Sequence, residues 1–377
     1  MPANILISGA FDDTRYRFSF FERIAEALER DGAEVTRFNA FGFARTSLPL
    51  GLHLLERLFT LPGRLLGIDK AHIRAALPWT PEGRREQALL DAVHRARPDT
   101  LIVVRGFAHR PRTLRRCRRM GVKTLVGWYV EGPLERGLVE AESRGYDRYY
   151  CIHTEVDARV AERVGWLPSY ALDTQTFART VWPRLPQDRI VFVGTPTGRR
   201  VRFLRALTDM PLELWGPKWS AVPELARFHR GDFVWGEALN ALYNDSAIVL
   251  NIASWDSHLS GMTQRILEIP TSGAFMLTDD SREARALFEP GREAEVFESP
   301  EALRRQCARY LADGARREAI AQRGHRRALR QRDFTATARV LAGRAEAPTL
   351  ADVRDAPHPA LVRPPAAMPL GDLAGGR

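Results

Sequence analysis

Two α/β domains built from β-α-β units are predicted by three observations. The chain has 377 residues of which 45% are hydrophobic, enough for two cores. A β-α-β pattern opens within the first 38 residues, and a second opening of the same kind follows a proline-rich linker at 183–188. The expected domains are 1–182 and 183–345. From 346 to 377 the composition turns to Ala, Pro and Gly without periodicity, which predicts a disordered tail.

In the first domain, residues 4–9 form a short β-rich run ending in Gly9, 18–28 have helical periodicity, and 34–38 return as a strand. Ligands of open α/β sheets gather beyond the carboxyl ends of the strands, which directs attention to the loop 9–17 with Asp12 and Asp13. That loop lacks G-x-G-x-x-G, so a tightly held dinucleotide is not indicated. Residues 47–68 carry a wide apolar face with basic flanks, readable as a helix on the sheet, as a peripheral membrane contact or as the wall of a hydrophobic acceptor groove. A helix over 81–95, a buried strand over 100–104, a helix from Pro111, a strand over 123–128 and a strand over 146–153 follow. The loops after two of these strands carry Arg105 with His109, and Glu131; in a parallel sheet both open on the same side. His109 is otherwise a loop histidine, and Glu131 a helix cap.

The second domain begins with the strand 189–194, a helix over 201–207 headed by Arg199 and Arg200, and the strand 212–215 leading to Lys218. A helix over 236–244, a strand over 247–252, a strand over 274–278, a helix over 282–287 and helices over 300–311 and 315–341 complete it, the last expected to return to the first domain. Between two of the strands lies a glycine turn, a short helix and a second glycine, from Gly261 to Gly273. Gly261 permits a tight turn, so the amides of Met262 and Thr263 are expected to face an anion such as a phosphate. Arg265 and Glu268, three residues apart, share a helix face; the arginine suits a phosphate or carboxylate, and the glutamate a pair of vicinal hydroxyls. The alternative is a surface ion pair between them.

Cys117, Cys151 and Cys307 are widely spaced with no C-x-x-C, so neither a disulfide framework nor a zinc site is indicated. The start lacks the features of a signal peptide, and no apolar run approaches the roughly 18 residues of a spanning helix, so a cytoplasmic protein is expected. Of 56 basic residues only three are lysines, and the arginines are dispersed among 46 acids. A net charge of +10 distributed in this way, without a reader motif, does not indicate nucleic acid as a partner. Walker A, G-x-S-x-G and H-E-x-x-H patterns do not occur.

The runs Tyr243–Ser246, Leu250–Ile252, Arg265–Gly273 and Leu287–Gly291 resemble, in order, the C-terminal domain of CgeB-type (spore-maturation-protein-like) glycosyltransferases, with likeness over roughly 98–340. The resemblance implies a GT-B fold, two Rossmann-like domains facing a cleft, and transfer of a sugar from a nucleotide-diphosphate-sugar donor to an acceptor: a glycan, a lipid-linked glycan or a protein. It places Gly194, Arg199, Arg200, Lys218, Gly261, Met262, Thr263, Arg265 and Glu268 around the donor, and Asp12, His109 and Glu131 as candidates for the catalytic base. Glu131 stands where relatives carry an aspartate before proline. The first glutamate of the E-x7-E motif falls at Ser260, so stereochemistry is left open, with Asp256 and His258 as nearby substitutes. With no Asp-x-Asp triplet, no metal and no cofactor beyond the donor are expected. A nucleotide-sugar epimerase of the same fold and a non-catalytic nucleotide- or glycan-binding protein are the alternatives.

Overall fold

The structure, a computed structural model, describes residues 2–11, 20–43, 74, 77, 79–105, 108–132, 134, 137–180, 186–255 and 261–354. Asp12, Asp13, the 47–68 segment, Asp256, His258 and Ser260 lie outside them. The chain divides into two units: one holds residues up to Pro168 together with Phe334–Asp352, and the other Ser169–Asp333 with the residues from Val353 onward.

The first unit is a six-stranded parallel sheet of β1 (Asn4–Gly9), β2 (Glu34–Asn39), β3 (Thr100–Val104), β4 (Thr124–Tyr129), β5 (Arg148–Cys151) and β6 (Val164–Trp166). The strand order is β2-β1-β3-β4-β5-β6. The central strands are buried along nearly their whole length, as continuous apolar runs such as Thr100–Val104 demand of a sheet covered on both faces. The helix Phe20–Arg30 covers it with Phe21, Ile24, Ala25 and Leu28. The helix Pro81–Ala96 starts on Thr80, whose hydroxyl accepts the Gly83 amide at 3.0 Å, with proline in its first turn.

The second unit repeats the plan with β7 (Gln187–Val193), β8 (Leu212–Trp215), β9 (His229–Gly231), β10 (Ser246–Asn251), β11 (Met276–Asp279) and β12 (Glu295–Phe297), in the order β12-β11-β10-β7-β8-β9, again parallel. Alternate residues feed two cores. Phe192, Leu250 and Leu277 pack with Phe203, Leu303 and Tyr310 on one face, while Val191, Val249 and Met276 pack with Tyr243, Ile266 and Ile269 on the other.

Three expectations are corrected. Residues 169–180 belong to the second unit: the Tyr170 hydroxyl donates to Glu283 at 2.6 Å, the Ala171 amide to Gln264 at 2.9 Å, and Phe177 enters the second core, so the chain first leaves the first unit at Pro168. The helix expected over 315–341 is two, Gly314–Ala328 and Phe334–Leu341. The Arg332 carbonyl between them accepts the Leu172 amide at 2.8 Å, which takes that segment out of helical geometry. The tail is ordered to Arg354: Thr349 bridges to Gly165, the Trp166 amide donates to the Pro348 carbonyl at 2.8 Å, and Leu350–Arg354 is helical. Residues 355–377 lie outside the described set.

The order of connections reverses at one place in each sheet. In the first, the chain steps from β1 to β2 on one side and then to β3 on the other; in the second, β7 leads to β8 and β9 before β10 pairs on its opposite edge. Such switch points open a crevice beyond the carboxyl ends of the strands.

Candidate functional site

At the switch point of the second unit, β7 ends at Val193, with Gly194 next, and β10 ends at Asn251. Gly216, at φ +126°, lies so close to the first loop that a Cβ there would sit 2.4 Å from the Gly194 carbonyl oxygen. Sequence reasoning gave Gly216 no role; it is the neighbour that lets the Gly194 loop close down. Thr197 caps the helix Gly198–Leu204 by accepting the Arg200 amide at 3.3 Å.

Arg200, 5% exposed, spans the switch point: its Nε donates to the Ile252 carbonyl at 3.0 Å and its Nη1 to the Thr195 carbonyl at 2.9 Å. Arg199 forms a two-pronged pair with buried Asp279, Nη2 to Oδ1 at 2.8 Å and Nη1 to Oδ2 at 3.1 Å. Oδ2 of Asp279 also accepts the Ala253 amide at 2.5 Å. Both arginines therefore direct donors at the protein, Arg199 to a carboxylate 80 residues away that the sequence did not single out.

Arg265 differs. Its Nε reaches Asn251 Oδ1 at 3.4 Å, but its Nη2 is buried and has no acceptor among the described residues. Its guanidinium lies 5.8 Å from the centroid of the Phe192 ring, and that of Arg200 lies 5.2 Å from the same centroid. Burial, and then the charge of Arg265, push the Arg200 pKa down to about 9. Two cations crowd one ring, one of them with an unused buried donor, and an anion placed there relieves both.

One turn along the helix Arg265–Thr271, Glu268 makes no ion pair with Arg265, so the surface-pair alternative is not what forms. Desolvation pushes its carboxyl up to about 7, against the pull of Arg265 and with a further push from Asp173. The linkage follows in sign: a carboxyl that holds its proton more tightly folded than unfolded weakens the fold as pH rises from its unfolded value through about 7. Glu268→Gln is expected to be about 2 kcal/mol more stable than the parent at pH 8, and no more stable at pH 4. Denaturant unfolding at the two pH values checks this, and an equal effect at both would refute it.

The glycine turn behaves differently from expectation. Gly261 has φ +89°, as a tight turn requires, but the helix begins only at Arg265 and has seven residues. The Met262 amide donates to Glu283 Oε2 at 2.9 Å, and the Met262 side chain is in the core. A buried carboxylate already holds the position assigned to a phosphate. Thr263 Oγ1, by contrast, is buried without a hydrogen-bond partner among the described residues. Lys218 is exposed, in left-handed backbone at φ +76°, and forms no ion pair among the described residues.

In the first unit, Arg105 and Glu131 stand at the carboxyl ends of neighbouring strands β3 and β4 and form an ion pair. Desolvation raises the Glu131 pKa although Arg105 opposes it, and about a third of its side chain is exposed. His109 is not in an open loop. It is 1% exposed, with Nε2 at 2.8 Å from Ser8 Oγ and Nδ1 at 3.2 Å from Glu86 Oε1. Glu86 also accepts the Arg110 amide at 3.2 Å. A carboxylate only accepts, so Nδ1 carries the proton, and Nε2 accepts from the Ser8 hydroxyl. Sequence reasoning missed Glu86, although it falls in phase with Leu89, Leu90 and Val93 on the buried helix face, where an acid needs a partner. Of the candidate bases, Glu131 is the one whose carboxylate is described and reaches solvent.

Among the described residues no group of His, Cys, Asp and Glu is arranged to hold a metal ion, and no helix is long and apolar enough to cross a membrane. Residues 199–342 match a family model described as glycosyl transferase-like. No curated protein matches the chain. Solved structures share its fold over nearly the whole chain. Sucrose-phosphate synthase from Thermosynechococcus elongatus is 13% identical with a TM-score of 0.61, over 90% of this chain and 98% of that one. A glycosyltransferase from Rickettsia africae is 8% identical with a TM-score of 0.58, over 91% and 100%. HepE of Anabaena in complex with UDP-glucose is 12% identical with a TM-score of 0.58, over 90% and 98%. The fold shared with these structures is GT-B.

Proposed function

We propose that this chain, with its glycosyl transferase-like second unit, is a CgeB-type glycosyltransferase that takes a sugar from a nucleotide-diphosphate donor. One observation carries the reading: the buried, unused Arg265 Nη2 beside Arg200 at the switch point, a place short of negative charge. The fold shared with HepE, which holds UDP-glucose, supports a nucleotide sugar as the anion.

Arg265 takes the diphosphate, Arg200 and Lys218 add positive charge, and Glu268 accepts from the ribose hydroxyls. When the bond from the anomeric carbon breaks, the diphosphate leaves with the electron pair. Fixed guanidinium charges there stabilise the leaving group more than the intact donor. The acceptor oxygen forms the new glycosidic bond and gives up its proton. Asn251 and Phe192 hold Arg265 in place, so little reorganisation is needed.

Thermal unfolding against UDP, GDP, dTDP, CDP and ADP, with and without magnesium, tests the donor site. A ligand at ~100 times its Kd adds about 2.7 kcal/mol, a shift of several degrees. One diphosphate should give that shift without magnesium, and Arg265→Ala should remove it. An unchanged shift in the variant would take Arg265 out of the site. Conversion of the donor sugar with no acceptor present would favour the epimerase.

A further inference from the structure

In the first unit, the helix Pro111–Arg119 is buried on one side only. Thr113, Leu114 and Cys117 face inward, and the opposite side carries Arg112, Arg115, Arg116 and Arg119, all exposed. Their spacing of i, i+3, i+4 and i+7 draws the four guanidinium groups into one stripe about 10 Å long. In the sequence the same residues read as part of a dispersed arginine content; the helical period gathers them.

No acid balances the stripe. The sequence has no Asp or Glu between Asp99 and Glu131. The carboxylates that this stretch does reach are already taken, Asp147 by Arg118 at 2.7 Å and Asp99 by Lys123 at 2.8 Å. Arg112, Arg115, Arg116 and Arg119 make no ion pair among the described residues. Like charges three and four residues apart weaken a helix. The helix dipole offsets this at Arg116 and Arg119 in the last turn and adds to it at Arg112 in the first, where no acid stands. A row of cations held together in this way is complementary to a surface of fixed negative charge.

Met120 indicates the kind of surface. It closes the helix, its amide donating to the Arg116 carbonyl at 3.0 Å, and four residues after Arg116 it stands at the edge of the stripe. At 38% exposure it is the only large apolar side chain left exposed among the described residues of this unit. No aromatic ring is exposed among them to stack on nucleic-acid bases. An apolar side chain beside arginines suits a lipid interface, where the methionine leaves water while the long arginine stems keep their charges at the head groups.

We propose that the helix Pro111–Arg119 is a peripheral docking surface for an anionic lipid bilayer, in which Arg112, Arg115, Arg116 and Arg119 meet the lipid head groups and Met120 enters the interface beside them. Each arginine brought to such a surface strengthens partitioning about fivefold. The inference does not depend on the donor-site reading, since it uses only the first unit and requires no nucleotide.

Co-sedimentation of the full-length protein with vesicles tests this, using phosphatidylcholine alone and phosphatidylcholine with about one-third phosphatidylserine. Binding is expected to the second only, and to weaken as salt rises from about 0.1 to 0.5 M. Arg115→Gln and Arg116→Gln should each weaken it about fivefold, and the four substitutions Arg112→Gln, Arg115→Gln, Arg116→Gln and Arg119→Gln together by several hundredfold. The Tm of the fourfold variant should be no lower than the parent's, since no carboxylate loses a partner. A control removes the same charge from exposed positions of the second unit, with Arg305, Arg316, Arg326 and Arg330 each changed to Gln; it should bind the vesicles nearly as the parent does. Four results overturn the proposal: no binding to either vesicle; full binding by the fourfold variant, which moves the contact elsewhere in the chain; an equal loss in the control, which makes it an effect of net charge; or displacement from the vesicles by a single-stranded RNA at equal phosphate concentration, which makes the stripe a nucleic-acid face.

Discussion

Asp279→Ala is expected to destabilise the second unit by about 3–5 kcal/mol, because it leaves the guanidinium of Arg199, itself 14% exposed, without its carboxylate. The Ala253 amide loses its acceptor in the same step. Burial keeps the Asp279 carboxyl above its ordinary range even though Arg199 pulls it down, which means that the ionised pair costs more in desolvation than it returns. Removing both partners with apolar residues of similar volume, Arg199→Met with Asp279→Leu, should therefore recover most of the loss. What the pair secures is position: it ties the end of β11 to the head of the helix Gly198–Leu204 and to the loop after β10. The double variant should fold well and still respond more weakly to a nucleoside diphosphate. Chemical denaturation of the single and double variants decides it, and a single variant within 0.5 kcal/mol of the parent would contradict the buried-pair argument.

His109→Ala is expected to cost about 3 kcal/mol, since it opens a small cavity and strips a donor from buried Glu86 and an acceptor from Ser8. The parent carries a matching pH signature. Burial holds the His109 pKa below its ordinary value, against the pull of Glu86, so the unfolded chain binds this proton more readily than the folded one. Its contribution is complete above the unfolded pKa near 6.5 and declines as pH falls below that. His109→Asn, which keeps an amide donor for Glu86, should flatten the decline between pH 6.5 and 5. A parent whose first unit loses nothing over that interval would contradict the neutral, buried histidine.

The elements legible in the sequence are those with enough residues to show a period or an unbroken apolar run. β1, β3, β4 and the helix Pro81–Ala96 stand close to where the pattern puts them. β6, β9 and β12 have three residues each, too few to show alternation, and they pair because a longer neighbour presents an open edge. In the site, residue type was legible and partner choice was not. Arg199, Arg200 and Arg265 all read as phosphate ligands, yet Arg199 finds Asp279 on β11 and Arg200 finds Ile252 in the loop after β10, partners that no local spacing encodes. The Met262 amide was misassigned for the same reason: its acceptor, Glu283, lies beyond the next strand.

The chain leaves the first unit at Pro168 and returns to it at Phe334. There the helix Phe334–Leu341 offers its Val340 carbonyl to the Tyr150 hydroxyl at 3.2 Å, and Arg339 pairs with Asp31 at 3.0 Å. Seen from the ribosome, the unit that begins first cannot finish first. Its six strands are synthesised early but wait through residues 169–333 for their closing segment, with Tyr150 and Asp31 exposed to other partners meanwhile. The intervening stretch 169–333 holds all six strands of the second unit, which then lacks only the residues from Val353 onward. Nascent chains arrested before Phe334 should then protect the second sheet from protease while the first stays cleavable, and a premature stop at that point would spoil the domain encoded farthest upstream of it.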